Sequence, residues 1–98
     1  MIFELDISDK AKEQLRELKR DQGLAKHYKS VQEAFKKLQH NPRHPSLQTH
    51  EFFSLKGPYG EKVFEAYAEQ DTPAAYRIFF YYGSQRGVIS ILSVESHP

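Results

Sequence analysis

One arginine interrupts the most apolar part of this 98-residue chain. Arg77 stands second in Tyr76-Arg77-Ile78-Phe79-Phe80-Tyr81-Tyr82, and Gly83-Ser84-Gln85-Arg86-Gly87 separates that run from a second apolar one, Val88 to Val94. Two such runs around a glycine-bearing turn predict a β-hairpin. Pairing Tyr82 with Val88 sets Arg77 opposite Ser93, and strict alternation then puts Arg77, Ser93, Glu95 and His97 on one sheet face. A guanidinium stays charged at any working pH and grips two phosphate oxygens at once; its competing use is an ion pair with Glu65 or Glu95. An imidazole, with an unperturbed pKa of roughly 6.5, gives or takes a proton near neutrality. The face thus offers anion binding and proton transfer. The chain from Ser93 to His97 covers roughly 13 Å when extended, so Arg77 and His97 meet different parts of a bound strand unless the tail curls back.

The other candidate constellations carry less chemistry. His40, His44 and His50 cluster in sequence, but Pro42 and Pro45 break the helical spacing of the first two, and neither cysteine nor an HExxH pattern supports them. No metal and no cofactor are expected. Gly57 and Gly60 read as turn residues, since no GKS or GKT follows. Phe79, Phe80, Tyr81 and Tyr82 read first as packing on both faces of the sheet.

The elements that must hold this hairpin follow from periodicity. Phe3-Glu4-Leu5-Asp6-Ile7 alternates apolar and acidic residues as a short strand. Ser8 or Asp9 then caps a helix carrying Ala11, Leu15 and Leu18 on one stripe, and Gly23 suits a left-handed residue ending it. Leu24, Tyr28, Val31, Phe35 and Leu38 form the seam of a second helix, stopped at Asn41-Pro42. So short a connection predicts an antiparallel αα-hairpin. Strands follow over Thr49 to Leu55 and Lys62 to Glu69, around a turn at Lys56-Gly57-Pro58-Tyr59-Gly60, and Gln70-Asp71-Thr72-Pro73 leads into the last hairpin. The fold class is α+β: one strand, two helices, then a four-stranded antiparallel meander with the helices on one face, all in a single domain over 1–98.

Composition sets outer limits. With 39% hydrophobic and 28% charged residues the chain belongs with globular proteins rather than disordered ones. It contains no cysteine, which removes disulfides and thiolate metal sites and fits a cytoplasmic protein. No apolar run nears the roughly 18 residues of a membrane span, and Met1-Ile2-Phe3-Glu4 lacks the layout of a signal peptide. Residues 1–50 hold ten Lys or Arg against seven Asp or Glu, a balance of +3, while residues 51–98 stand at −2. The excess on Lys26, Lys29, Lys36, Lys37 and Arg43 either steers the chain toward RNA phosphates or is a solvated helix face.

This order of elements resembles the RelE/ParE superfamily of toxins from toxin-antitoxin systems. The likeness rests on the αα-hairpin, the asparagine-proline break, Leu47-Gln48-Thr49-His50 leading into Leu55-Lys56-Gly57, Tyr76-Arg77-Ile78-Phe79 before a turn, and a last strand running into His97. It implies helices on one side of a curved sheet and a basic concave face on the other, with a cognate antitoxin as partner. RelE-type members enter the ribosome and cut translated mRNA without metal, through attack of a ribose 2′-hydroxyl on the adjacent phosphate. ParE-type members poison DNA gyrase, and a decayed toxin that only binds its antitoxin and regulates its operon is a further alternative. Carried onto this chain, the resemblance makes Arg77 the phosphate clamp, with His50 and His97 sharing proton transfer as base and acid in either order. Lys56 and Lys62 flank a turn that approaches substrate phosphate. Glu65 falls where some relatives carry lysine or histidine, and there it repels phosphate unless it is itself the base or is neutralised by Arg77. Pro98 stands where many relatives have a stacking aromatic, a role left to Tyr59, Tyr67 or Tyr81. The net charge of +1 is low for a chain directed at the ribosome.

Overall fold

The computed structural model describes residues 2–97; Met1 and Pro98, and with them the readings placed on those two positions, lie outside it. Five strands and two helices follow in the order β1 (Glu4–Ile7), α1 (Asp9–Arg20), α2 (Ala25–His40), β2 (His50–Lys56), β3 (Lys62–Tyr67), β4 (Tyr76–Tyr82) and β5 (Val88–Ser96). They form one open sheet in the order β1-β5-β4-β3-β2. The last four strands are the expected antiparallel meander, and β1 adds to its edge in parallel with β5.

Ser8 joins helix to sheet. Its hydroxyl oxygen accepts from the Ala11 N–H at 3.0 Å, capping α1, and its O–H donates to the Leu92 carbonyl at 2.8 Å. Two turns later Gln14 accepts from the Val94 N–H at 2.8 Å. Polar side chains of α1 thus satisfy the part of β5 that the short β1 leaves unpaired. Ala11, Leu18, Val31, Ala34 and Leu38 pack from the helices onto Ala66, Ile78, Phe80, Ile89, Ile91 and Val94 in one core cluster.

Three expectations need correction. Gly23 does not end α1 in the left-handed region: the helix stops at Arg20, and Asp21 accepts from the Gly23 N–H at 2.9 Å to start a 3-10 turn over Gln22–Leu24. A Cβ at Gly23 would lie 3.2 Å from that carboxylate, so close approach rather than handedness suits glycine there. The hairpin register also differs. Tyr82 pairs with Ile89, one residue later than expected, and a bulge at Leu92 adds a second step, so Arg77 faces Glu95 instead of Ser93. A single step would have turned β5 over; two restore the parity, so Ser93 and Glu95 stay on the Arg77 face as alternation required. The bulge is held where Ser8 takes the Leu92 carbonyl. β3 is shorter than expected, ending at Tyr67, because Ala68 and Glu69 both turn their N–H groups to the Tyr76 carbonyl.

Candidate functional site

Cross-strand pairing assembles the face opposite the helices. His50 on β2 pairs with Glu65 on β3, Glu65 with Phe79 on β4, and Phe79 with Ser93 on β5; the next row is Tyr67, Arg77 and Glu95. Residues directly opposite share a face, with Cβ atoms roughly 4.5–5.5 Å apart. Phe52 packs edge-on against Phe79 at 4.9 Å, so the middle of this face is dry even without helices over it.

Glu65 lies at the centre. Its side chain is only 3% exposed, and its two oxygens have separate partners: Oε2 takes the Arg77 guanidinium through Nη1, while Oε1 lies 2.8 Å from His50 Nε2. The other His50 nitrogen, Nδ1, is 2.8 Å from the Gln48 carbonyl. A carbonyl only accepts, so Nδ1 carries hydrogen; the short contact at Nε2 needs a second proton, on the ring or on the carboxylate. Both ring nitrogens of His50 are thus held by oxygen partners. Gln48 adopts a left-handed backbone with φ 46°, after a 3-10 turn over Pro45–Leu47, and this aims its carbonyl at the imidazole.

Arg77 is 16% exposed, its guanidinium 5.3 Å from the Phe79 ring centre. Its Nε is buried with no hydrogen-bond partner among the described residues. An unmet donor in so dry a place is costly, and it leaves the fork with capacity for another acceptor.

His97 lies one pairing step from this row. Its N–H donates to the Ala75 carbonyl at 2.8 Å, continuing the β4-β5 ladder past Ser96. Through the bulge, Arg77 faces Glu95 instead of Ser93, so the separation from His97 is two residues, roughly 7 Å of strand, rather than the expected four. Beside them opens a hollow of about 280 Å³, bounded by Gln48, Tyr67, Asp71, Ala75 and His97. The Tyr67 ring forms one wall, 5.7 Å from the His50 ring. Tyr67 and Gln48 enter the site through strand pairing and backbone conformation, and only the tyrosine's aromatic character signalled either in the sequence.

Tyr81 belongs to the other end of this face, whereas Lys62 alternates in step with Phe64 and Ala66, which pack toward the helices, so Lys62 and its opposite Lys56 lie on the other face of the sheet. Lys56 and Lys62 are exposed and directly opposed across β2 and β3, an arrangement that like charges disfavour unless an anion lies between them. Tyr81 pairs with Ser90, four residues along β4 from Arg77. The structure thus groups His50, Glu65 and Arg77 at one end of this face, with His97 beside Arg77, and leaves Tyr81 at its other end and the two lysines off it.

A separate polar cluster fixes the β3-β4 turn to α2. His27 Nδ1 lies 2.7 and 2.9 Å from the two oxygens of Glu69, which also accepts from the Tyr76 N–H at 3.0 Å. Burial pushes the Tyr76 hydroxyl above its usual pKa of 10.0, and the Glu69 and Asp21 carboxylates push it further. Among the described residues no group of three or more His, Asp or Glu is placed to hold a metal ion, and no helix is long and apolar enough to cross a membrane.

No family model matches the sequence, and no curated protein matches it at a significant level. Solved structures do match. A YoeB/ParE toxin from Agrobacterium tumefaciens superposes with a TM-score of 0.70 at 10% identity, over 97% of this chain and 99% of that one. The archaeal RelE in its complex with RelB from Pyrococcus horikoshii gives 0.66 at 18% identity, over 98% and 96% of the two chains. A YoeB dimer from Staphylococcus aureus gives 0.62 at 16% identity, over the full length of both. The chain has the RelE/ParE-like fold over nearly its whole length. At such identities the likeness establishes architecture, and the chemistry has to be read from the side chains.

Proposed function

We propose that this chain is the toxin of a toxin-antitoxin pair and acts in the cytoplasm as a metal-free endoribonuclease on mRNA held in the ribosome. The observation that carries this reading is the join at Glu65, whose two oxygens hold Arg77 and His50, with His97 two residues along from the Glu95 that faces Arg77. Arg77 clamps the scissile phosphate and offsets the charge gathering on the phosphorane. His97 takes the proton of the 2′-hydroxyl as its oxygen bonds to phosphorus. The bond from phosphorus to the 5′-oxygen breaks, and that oxygen receives the Nε2 proton of His50. The products are a 2′,3′-cyclic phosphate and a 5′-hydroxyl, and solvent exchange resets both imidazoles. Glu65 is the positioning residue, keeping the imidazole and the guanidinium in register until phosphate oxygens replace it. Tyr81 lies further along this face, and Lys56 and Lys62, exposed at the far end of β2 and β3 on the sheet's other side, hold phosphates where the RNA leaves the face. The likeness to a RelE bound to RelB supports a small protein antitoxin as the neutralising partner.

Cell-free translation followed by primer extension tests this. Discrete cuts within ribosome-bound codons are expected, lost in Arg77→Ala and in His97→Ala while both variants stay folded; intact messenger with the wild-type chain overturns the reading. One observation favours a second reading, a binding module directed at DNA gyrase: Glu65 already neutralises Arg77 within the site. Inhibited DNA supercoiling with uncut messenger identifies that activity.

A further inference from the structure

Both imidazoles of the cluster are tied to one segment, residues 68–75 between β3 and β4, one directly and one through a turn. Its last residue, Ala75, accepts the His97 N–H at 2.8 Å. The Gln70 side-chain amide donates to the Ser46 carbonyl, inside the 3-10 turn over Pro45–Leu47, and that turn ends at Gln48, whose carbonyl lies 2.8 Å from His50 Nδ1. The segment is poorly suited to hold its own shape. Asp71 and Ala74 have φ of 57° and 56°, the left-handed region that residues with a Cβ disfavour. Its internal hydrogen bonds, Thr72 Oγ1 to the Gln70 carbonyl and the Ala75 N–H to the Thr72 carbonyl, close only small turns. Backbone of this kind persists where its neighbours fix it.

The neighbour is α2. Glu69, its side chain 10% exposed, brings its two oxygens to 2.7 and 2.9 Å from Nδ1 of His27, which is 20% exposed. An ionised carboxylate only accepts, so Nδ1 carries the hydrogen, and the same Glu69 accepts the Tyr76 N–H at 3.0 Å. The His27 ring is backed by that of Tyr76, 5.1 Å away. Glu69 lines the hollow of about 280 Å³ beside the cluster and also a cleft of about 700 Å³ beside His27, so the segment is pinned between the two at this residue.

We propose that His27 and Glu69 are positioning residues for the cluster, a latch from α2 that sets His97 through Ala75 and His50 through Ser46 and Gln48. The effect on cleavage rests on the ribonuclease reading; the effect on the backbone does not. Arg77 stands outside this path, since its place is set by the pairing of β4 with β3 and β5 and by Glu65. A loosened latch therefore slows proton transfer and leaves the phosphate clamp in place.

Two variants of the whole chain test it. His27→Phe keeps a ring against Tyr76 and removes the donor. His27→Asn sets an amide N–H close to the position of Nδ1 and keeps it. Hydrogen exchange read by NMR is the first measurement. In His27→Phe the amides of His97 and Gln48, which donate to the Ala75 and Pro45 carbonyls, are expected to exchange roughly 10- to 100-fold faster, while the buried Ile78 and Ile91 stay as they were. His27→Asn brings both amides back toward the wild-type rates. Cleavage of ribosome-bound mRNA is the second: in His27→Phe kcat falls roughly 10- to 100-fold with KM near that of the wild type, and His27→Asn recovers most of it. Unchanged exchange at both amides, equal acceleration at Ile78 and Ile91, or no recovery in His27→Asn overturns the latch. So does cleavage at the wild-type rate in a His27→Phe chain whose two amides exchange fast, because His27 then only braces the fold. Selective exchange changes where the wild type cuts no mRNA keep the latch and remove the ribonuclease reading.

Discussion

Replacing Glu65 with glutamine keeps the shape of a side chain that is 3% exposed and removes the carboxylate that Arg77 and His50 share. The guanidinium of Arg77 is itself only 16% exposed. Removing one partner of a buried pair costs about 3–5 kcal/mol, and because Arg77 still reaches a little solvent the lower end, about 3 kcal/mol, applies. His50 is 47% exposed and its share of the interaction is screened, adding no more than about 1 kcal/mol. The expected loss is about 3–4 kcal/mol, out of a total stability of roughly 5–15 kcal/mol for a domain of this kind. In thermal unfolding this is a fall of roughly 12–30 °C, at about 4–8 °C per kcal/mol for so short a chain.

Urea unfolding of four proteins measures it: wild type, Glu65→Gln, Arg77→Met, and a double variant with Glu65→Leu and Arg77→Met. Each single change leaves a buried charge alone, whereas the double change replaces both with apolar groups of similar volume. It should come back to within about 1 kcal/mol of the wild type, since apolar replacement of a buried pair is often neutral. That protein, stable and without a clamp, should cut no mRNA. A Glu65→Gln midpoint corresponding to a loss under about 0.5 kcal/mol, the scale of an ordinary surface change, would falsify the view of Glu65 as a desolvated hub.

Three further outcomes are expected. Ser8→Ala loses both the α1 cap and the bond to the Leu92 carbonyl, so denaturant unfolding should show a loss of about 1–2 kcal/mol; no loss would mean the bulge is held by packing alone. Lys56→Glu sets a carboxylate opposite Lys62 and should raise stability by a few tenths of a kcal/mol, roughly, while weakening RNA binding and lowering its salt dependence; unchanged RNA binding would remove the lysines from the site. Tyr76 and Tyr82 have hydroxyls pushed above 10.0, Tyr76 by burial and then Glu69 and Asp21, Tyr82 by burial against the opposing pull of Arg43. Folded chains hold those protons more tightly than unfolded ones, so this part of the stability is complete below about pH 10 and drains away as pH rises through the folded values. Absorbance titration should show tyrosines ionising late in the native protein and not in urea, and Tyr76→Phe should flatten the alkaline fall.

The elements themselves were legible because their causes are local. Alternation marked β1, an apolar aromatic run beside a glycine-bearing turn marked β4, Ser8 announced the cap, and Asn41-Pro42 stopped α2 where proline geometry requires it. What could not be read locally is where two strands meet. The turn after Tyr82 and the bulge at Leu92 each move the register by one residue, and the second is held by a hydroxyl 84 positions away in sequence. Side-chain period is two, so the face of Arg77, Ser93 and Glu95 came out right while the pairing along it did not. The role of Glu65 lay out of reach for a related reason. Its type raised the question of repulsion or neutralisation, but only the pairing of β2 with β3 and β3 with β4 puts an imidazole on one oxygen and a guanidinium on the other.

On the proposed ribonuclease reading, that arrangement explains how a site for phosphate exists in a folded chain before any RNA arrives. Arg77 left alone against Phe79 and its dry neighbours would carry the desolvation cost of a lone cation. Glu65 supplies two anionic oxygens in the place a phosphate's oxygens would take, one for the guanidinium and one for His50. The cost is competition: RNA gains only the difference between its phosphate and that carboxylate. On that reading, weak binding by the isolated chain and strong binding in the ribosome, where other contacts align the strand, are the expected outcome of the same pair of hydrogen bonds. Glu65→Gln should accordingly bind short RNA more tightly than the wild type while cutting it less, because His50 loses the group that aims it. Equal loss of binding and cleavage in that variant would instead make the carboxylate a scaffold with no part in the exchange.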